Sequence, residues 1–328
     1  MSAYFAGTFF IAIFVVRTII LNMEKFELTI LGCGSAKPTT RHMPSAQVLN
    51  VRDKLFMIDC GEGTQLQYCR NKLPFSRLNH IFISHLHGDH MFGLPGLIST
   101  FNLLGRTAEL HVHSPKGLEQ MMKPIMDYCN YDMSYQVFFH EFDTNQSAVI
   151  FEDRTLTVTT IPLKHRVPTC GFLFQEKEGL RHIRRDMIEA YEIPIAYINN
   201  IKAGADFVLP DGEVIANEKL TTPASKVHSY AYCSDTMYLP QIVEQVRGVD
   251  LLYHEATYAA EHEAKAQQHF HSTTVQAAQI AKEAQVKQLI IGHFSARYID
   301  ERLLLEEARS IFPNTILAQE DQSILVED

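Results

Sequence analysis

An α/β fold is predicted for this chain by three observations. From residue 26 onward, strand-type apolar runs alternate with helix-type patterns. Glycine-rich and polar turns separate them, with no internal repeat and no low-complexity linker. An apolar strand-type run, Ile81–Ser84, ends directly in His85-Leu86-His87-Gly88-Asp89-His90, four metal-ligand side chains within six positions. With 328 residues, 46% of them hydrophobic and 20% charged, the chain can bury a core without disulfides or structural metals. One elaborate α/β domain is expected.

The elements follow in order. Phe26–Leu31 reads as the first strand, closed by Gly32-Cys33-Gly34-Ser35. Ala46–Val51 and Leu55–Ile58 form a strand pair that turns at Arg52-Asp53-Lys54. Asp59-Cys60-Gly61-Glu62-Gly63-Thr64-Gln65 is a glycine-bracketed turn opening a helix through Cys69. Ile81–Ser84 delivers the ligand cluster, and Leu94–Leu104 returns as a helix. Strand Leu110–Val112, helix Gly117–Cys129 and strand Gln136–Phe142 come next. Strands Ala148–Phe151 and Thr155–Ile161 lead to Pro162-Leu163-Lys164-His165. A helix starts after Ser272, where Thr273 and Gln276 are spaced as a capping box. Leu289–Ile291 is a buried strand ending at Gly292-His293.

Two segments break this rhythm. The stretch near residues 175–205 is charged and clusters Arg181, Arg184 and Arg185, which fits either a solvated helix face or an arm that grips a polyanion. Residues 1–22 are almost wholly apolar, without a basic n-region or a small-residue cleavage site. They read as a gene-start artefact preceding translation from Met23, with a membrane anchor as the alternative. Six scattered cysteines without a C-x-x-C pair indicate a reduced, cytoplasmic protein. A formal charge of −9 argues against a general nucleic-acid coat protein, but not against a nuclease whose metal ions and local basic patch supply the positive field.

The cluster carries the chemistry. Side chains at i and i+2 on an extended segment share a face, so His85 and His87 can grip one ion. The turn at Gly88 can aim Asp89 and His90 at a second. Further ligand types stand at later strand ends: His165, Asp235 and His293. Singly, each could be a cap or a hydrogen-bonded loop residue. Together with the cluster, they read as the rest of a dinuclear site.

These residues, with the motifs around them, closely resemble the metallo-β-lactamase superfamily and, within it, the ribonuclease Z family of tRNA 3′-maturing endonucleases. The resemblance runs from about residue 26 to about 320. Besides the stretches already quoted, it rests on Gly93-Leu94-Pro95-Gly96-Leu97, His254-Glu255-Ala256-Thr257, His271-Ser272-Thr273-Thr274 and Gly292-His293-Phe294-Ser295-Ala296-Arg297-Tyr298. The resemblance implies an αββα four-layer sandwich over residues 23–328, with an inserted arm near 175–205. It implies two zinc ions per subunit, or manganese or another divalent ion in their place. His85, His87 and His165 fall on one ion, Asp89, His90 and His293 on the other, and Asp235 bridges them. Two such ions lie roughly 3.5–4 Å apart, lowering the pKa of a shared water and bracing the phosphate. Asp89 would also steer the attacking water, and His271, oriented by Glu255, would protonate the departing ribose oxygen.

The implied activity is removal of the 3′ trailer from precursor tRNA by a homodimer, leaving a 3′-hydroxyl; hydrolysis of small phosphodiesters is the alternative. No membrane partner is expected unless residues 1–22 are genuine. Arg181, Arg184 and Arg185 are candidate tRNA contacts, and Arg297 and Ser295 either contact phosphate or form a salt bridge and a cap. Asp59 is expected to orient a metal-bound histidine or to shape its turn. His111-x-His113 repeats the spacing of the cluster without a following Asp-His, and reads as structural. Two stretches depart from the family pattern: Lys37-Pro38-Thr39-Thr40-Arg41-His42 stands where many members read Pro-x-Lys-x-Arg-Asn, and the arm lacks their Pro-Gly-Pro turn.

Overall fold

A computed structural model describes residues 25–129 and 132–326. The apolar stretch 1–22, with its expected gene-start origin, lies outside them. Among the described residues no helix is long and apolar enough to cross a membrane.

The first sheet is built from β1 (Phe26–Gly32), β2 (Ala46–Val51), β3 (Lys54–Ile58), β4 (Leu78–Phe82), β5 (Leu110–Pro115) and β6 (Val137–Phe142). Helices α1 (Thr64–Arg70), α2 (Gly88–Met91), α3 (Leu94–Leu103) and α4 (Leu118–Cys129) lie between its strands in sequence. β7 (Val149–Glu152), β8 (Leu156–Pro162) and β9 (Cys170–Glu176) then open the second sheet. The arm follows, with β10 (His182–Ile183), α5 (Arg185–Ala190), α6 (Ile195–Lys202), β11 (Phe207–Val208), β12 (Val214–Ile215), α7 (Asn217–Leu220) and β13 (Thr221–Thr222). β14 (Ser229–Cys233), β15 (Leu251–Glu255), α8 (Glu263–His269), α9 (Thr274–Ala284), β16 (Gln288–Gly292), α10 (Arg302–Ile311) and β17 (Thr315–Leu317) complete the second sheet, and β18 (Ser323–Leu325) crosses back to pair with β1.

The strand orders are β18-β1-β2-β3-β4-β5-β6 and β17-β16-β15-β14-β9-β8-β7. Period-2 alternation explains the layering. In β3, Leu55 and Met57 join the core beneath α1, α3 and α4, while Phe56 and Ile58 face the other sheet. Across that central layer Phe56 meets Phe174 at 6.3 Å and Phe82 meets Phe172 at 5.7 Å between ring centroids. Truncating one such buried ring to alanine costs about 3–5 kcal/mol. On the outer side of the second sheet, Ala277, Ala278 and Ala281 of α9 and Leu304 and Ala308 of α10 enter the same core. Small residues on α9 let helix and sheet approach closely. The result is the αββα four-layer sandwich with an inserted arm.

Thr273 caps α9 as its spacing predicts: its hydroxyl accepts from Gln276 N–H, and the Gln276 side chain accepts from Thr273 N–H. β4 differs from expectation, running Leu78–Phe82 rather than Ile81–Ser84. At Ser84 the ladder is replaced by a carboxylate, because Asp59 Oδ1 accepts the Ser84 N–H at 2.8 Å. The protrusion is longer than its charged first part suggests, filling the chain between β9 and β14. It has its own small core of Ile193, Ile201, Phe207, Ile215 and Leu220. β3 and β4 are parallel, as are β14, β15 and β16, so each group directs its strand-end loops to one edge.

Candidate metal centre

Asp59 follows β3, residues 85–90 follow β4, Asp235 follows β14, Thr257 follows β15 and His293 follows β16. Asp59, Asp235 and His293 all adopt left-handed backbone, with φ of 57°, 50° and 61°. Such sharp turns at strand ends aim a side chain across the sheet edge, at some local strain for a non-glycine residue.

The aimed side chains converge on the Asp235 carboxylate. Its Oδ2 lies 3.7 Å from His85 Nε2 and 3.6 Å from His165 Nε2. His87 Nδ1 joins that group, 3.1 Å from His85 Nε2 and 3.3 Å from His165 Nε2. The other oxygen, Oδ1, lies 3.1 Å from both His90 Nε2 and His293 Nε2. Asp89 Oδ2 is 3.5 Å from His90 Nε2 and 3.7 Å from His293 Nε2. The structure therefore brings together His85, His87, His165, Asp89, His90, His293 and Asp235 in two groups that share one carboxylate.

The outward nitrogens are fixed. His85 Nδ1 lies 3.0 Å from Ser84 Oγ, His165 Nδ1 3.0 Å from the Phe270 carbonyl, and His293 Nδ1 2.9 Å from Thr257 Oγ1. His90 Nδ1 is 2.6 Å from Asp59 Oδ2, which also accepts from Tyr232 Oη at 2.7 Å. Anchoring one ring nitrogen this way orients a ligating histidine. Asp59 thus does both things expected of it, shaping its turn and holding a cluster histidine.

The site fits divalent cations. Although His90 Nε2 and His293 Nε2 are buried and near Asp235, neither makes a hydrogen bond. Burial and the neighbouring His90 push the His85 imidazole well below the ordinary range, leaving the neutral form that ligates a metal. At His90 burial is outweighed by Asp235, Asp59 and Asp89, which raise its pKa well above normal. Three carboxylates crowding one buried imidazole call for positive charge there.

Beside these groups stands a Glu255–His271 pair. His271 Nδ1 is 2.8 Å from Glu255 Oε1 in a fully buried carboxylate. Thr236 N–H and Thr257 N–H donate to that carboxylate, as does the Thr257 hydroxyl. Burial lowers the His271 pKa, but Glu255, with Asp235 and Asp89, raises it to about 9. A cleft of about 490 Å³ opens over the two groups, lined by His87, Asp89, His165, His271, Ser295 and Arg297, among others. Arg297 sits 5.0 Å above the Tyr258 ring.

The remaining candidates fall elsewhere. Arg181, Arg184 and Arg185 lie in the arm and not in the lining of the cleft. Arg181 donates to Thr221 Oγ1, Arg184 pairs with Asp186 at 2.7 Å, and Arg185 is 94% exposed in its side chain. His111 and His113 stack with His80 and His140 on the first sheet, outside the lining of the cleft. Sequence reasoning missed Lys37, Arg166 and His269 at the cleft and gave Thr257 no role. The Thr257 signal was available: a hydroxyl two residues after Glu255, at the end of a strand.

Comparison with known proteins agrees with the geometry. A model described as "Beta-lactamase superfamily domain" matches residues 221–294, and one described as "Anti-Pycsar protein Apyc1" matches residues 26–183. Ribonuclease Z from Bacteroides fragilis (strain YCH46) is 63% identical over 302 residues, 92% of this chain and 99% of the relative. Ribonuclease Z from Bacteroides thetaiotaomicron is 61% identical over 304 residues, 93% of this chain and 96% of the relative. Among solved structures, the short form of human tRNase Z superposes with a TM-score of 0.67 at 26% identity, covering 92% of this chain and all of that one. The metallo-β-lactamase fold protein YhfI from Bacillus subtilis shares the fold, with a TM-score of 0.64 at 18% identity over 92% of this chain and 100% of that one. The chain belongs to the ribonuclease Z family of the metallo-β-lactamase superfamily.

Proposed function

We propose that the two groups around Asp235 carry out phosphodiester hydrolysis on precursor tRNA, removing the 3′ trailer just past the discriminator base. As a member of its family the chain is an endoribonuclease of tRNA 3′ processing, related to curated ribonucleases Z at 63% and 61% identity. The observation that carries the reading is the division of Asp235, with Oδ2 turned to one histidine group and Oδ1 to the other.

His85, His87 and His165 with Asp235 Oδ2 would hold one ion, and Asp89, His90 and His293 with Asp235 Oδ1 the second. Zinc is the ion we assign, two per subunit, with manganese or another divalent ion able to substitute. Held there, divalent cations would lower the pKa of a water and offset charge on the scissile phosphate.

The chain's own residues do the rest. Asp89, whose Oδ2 accepts the Ala36 N–H at 2.9 Å, is held at the cleft wall to orient the attacking water. Glu255 keeps His271 protonated with Nδ1 engaged, leaving Nε2 to give its proton to the departing ribose 3′-oxygen. Arg297 offers positive charge to the phosphate from the cleft rim. Arg181, Arg184 and Arg185 give the arm a basic stretch for the tRNA backbone. In this reading the enzyme works in the cytoplasm as a homodimer, the arm of one subunit holding tRNA for the other.

Incubation with a precursor tRNA, followed by mapping of the new ends, tests the proposal. A single cut past the discriminator with a 3′-hydroxyl is expected. Turnover of small phosphodiesters with intact precursor would favour the alternative.

A further inference from the structure

A separate gathering of ligand-type side chains lies outside the lining of the cleft. Cys33 follows β1, His42 closes the loop before β2, and Glu320 lies between β17 and β18. Cys33 Sγ is 3.4 Å from His42 Nδ1 and 3.5 Å from Glu320 Oε1, and that Oε1 is 3.3 Å from His42 Nδ1. A tetrahedral zinc ion, with sulfur at about 2.3 Å and nitrogen or oxygen at about 2.0–2.2 Å, sets its ligand atoms roughly 3.4–3.6 Å apart. The three observed edges match that triangle to within about 0.2 Å. We propose that Cys33, His42 and Glu320 form a third, structural site for a thiophilic divalent cation of the zinc class.

The surroundings are those of a ligand set. His42 turns its other nitrogen, Nε2, to Glu301 Oε1 at 3.2 Å, the carboxylate contact that orients a ligating imidazole. Glu320 Oε1 accepts N–H groups from Met43 at 3.0 Å and Cys33 at 3.3 Å, which fix the carboxylate. Cys33 is fully buried, and its sulfur lies 3.4 Å from the Ala318 carbonyl. In the cation-free state, burial and Glu320 keep the Cys33 thiol protonated, and Glu320 raises the His42 pKa. Binding of one dication displaces the Cys33 S–H proton, together with the Nδ1 proton of any His42 in its imidazolium form, both released to water.

The site has a mechanical consequence. Its ligands come from a strand end, a loop and the C-terminal segment. The same loop donates Ala36 N–H to Asp89 and lines the cleft through Ser35 and Lys37. A cation at Cys33 would staple the cleft-bordering loop to the first sheet.

Cobalt(II) separates this site from the Asp235 groups, whose ligands are all nitrogen and oxygen. Metal-free protein is titrated with cobalt chloride while the near-ultraviolet spectrum is followed. A saturable thiolate-to-cobalt charge-transfer band is expected, accounting for one bound equivalent beyond those that the Asp235 groups take up. Cys33→Ser should abolish the band and one equivalent of binding. Should that variant fail to fold, Glu320→Gln should weaken the band-forming equivalent by at least about tenfold. No band in the unsubstituted protein overturns the proposal, as does a band that persists in Cys33→Ser or an unweakened equivalent in Glu320→Gln. A persisting band would come from another thiol, such as exposed Cys69 or Cys129.

Discussion

Replacing Glu255 by glutamine preserves the shape of the side chain and removes the charge that holds His271 as an acid. The two groups meet at 2.8 Å, with Glu255 wholly buried and the His271 side chain 13% exposed. Burial works against the imidazolium, yet Glu255 and the carboxylates behind it lift the pKa to about 9. A hydrogen bond between buried charged partners contributes about 1.5–3 kcal/mol. Its loss therefore moves the alkaline limb of the cleavage profile down by about 1–2 pH units. His271 must be protonated to act, so activity is present below its pKa and lost as pH rises through it. At neutral pH and below the variant should approach the parent; above the limb it should be about 10–100-fold slower. Cations in the neighbouring pockets lower both limbs together, so the separation between them is the observable. The assay is single-turnover cleavage of precursor tRNA across the neutral-to-alkaline range, with bound metal measured in parallel. Superimposable limbs, or a rate loss matched by metal loss, would refute the assignment of His271 as the acid.

Three further outcomes are expected. His87→Ala should lose bound metal and cleavage together, because His87 Nδ1 sits between His85 and His165; full activity in a metal-stripped preparation would contradict the two-metal reading. In the arm, Arg185 makes only a long, exposed 3.8 Å pair with Glu189 whereas Arg184 pairs with Asp186 at 2.7 Å, so Arg185→Ala should account for the largest share of lost tRNA affinity. Each phosphate contact removed should flatten the salt dependence by up to about 0.9 in logarithmic slope, and unchanged binding in the triple arginine variant would exclude the arm. Finally, burial lowers the pKa of His80 to about 4 and of His113 to about 3, so the unfolded chain binds more protons below about pH 6.5. Stability should fall as pH drops from there through about 4, by on the order of 1–2 kcal/mol per histidine at pH 5. Urea unfolding should show His113→Phe, which keeps the stack on Phe82 at 4.5 Å, to be less acid-sensitive.

How much of this was legible in the sequence depends on how local each signal is. Runs such as Leu55–Ile58 announce strands through apolar continuity, and Thr273 with Gln276 announces a helix start. The ligand cluster was equally readable, because His85, His87, Asp89 and His90 are neighbours in the chain. Convergence on Asp235 was not local: it depends on parallel strands delivering residues 85–90, 235 and 293 to one edge. Only the motif resemblance paired Glu255 with His271. The earlier start and end of β4 were hidden because a side chain, Asp59, takes over a backbone partner at Ser84. The later part of the arm was hidden because its core uses single apolar residues from several short elements, with no sustained period.

The central claim is that this site hydrolyses a phosphodiester of precursor tRNA with divalent ions held around Asp235. It is tested most directly by offering the purified protein precursor tRNA and a small generic phosphodiester, each with zinc, with manganese and with chelator. One cut in the precursor, just past the discriminator base, is expected in both metals and none with chelator. Intact precursor alongside metal-dependent turnover of the small phosphodiester, or cleavage that survives complete metal removal, would contradict it.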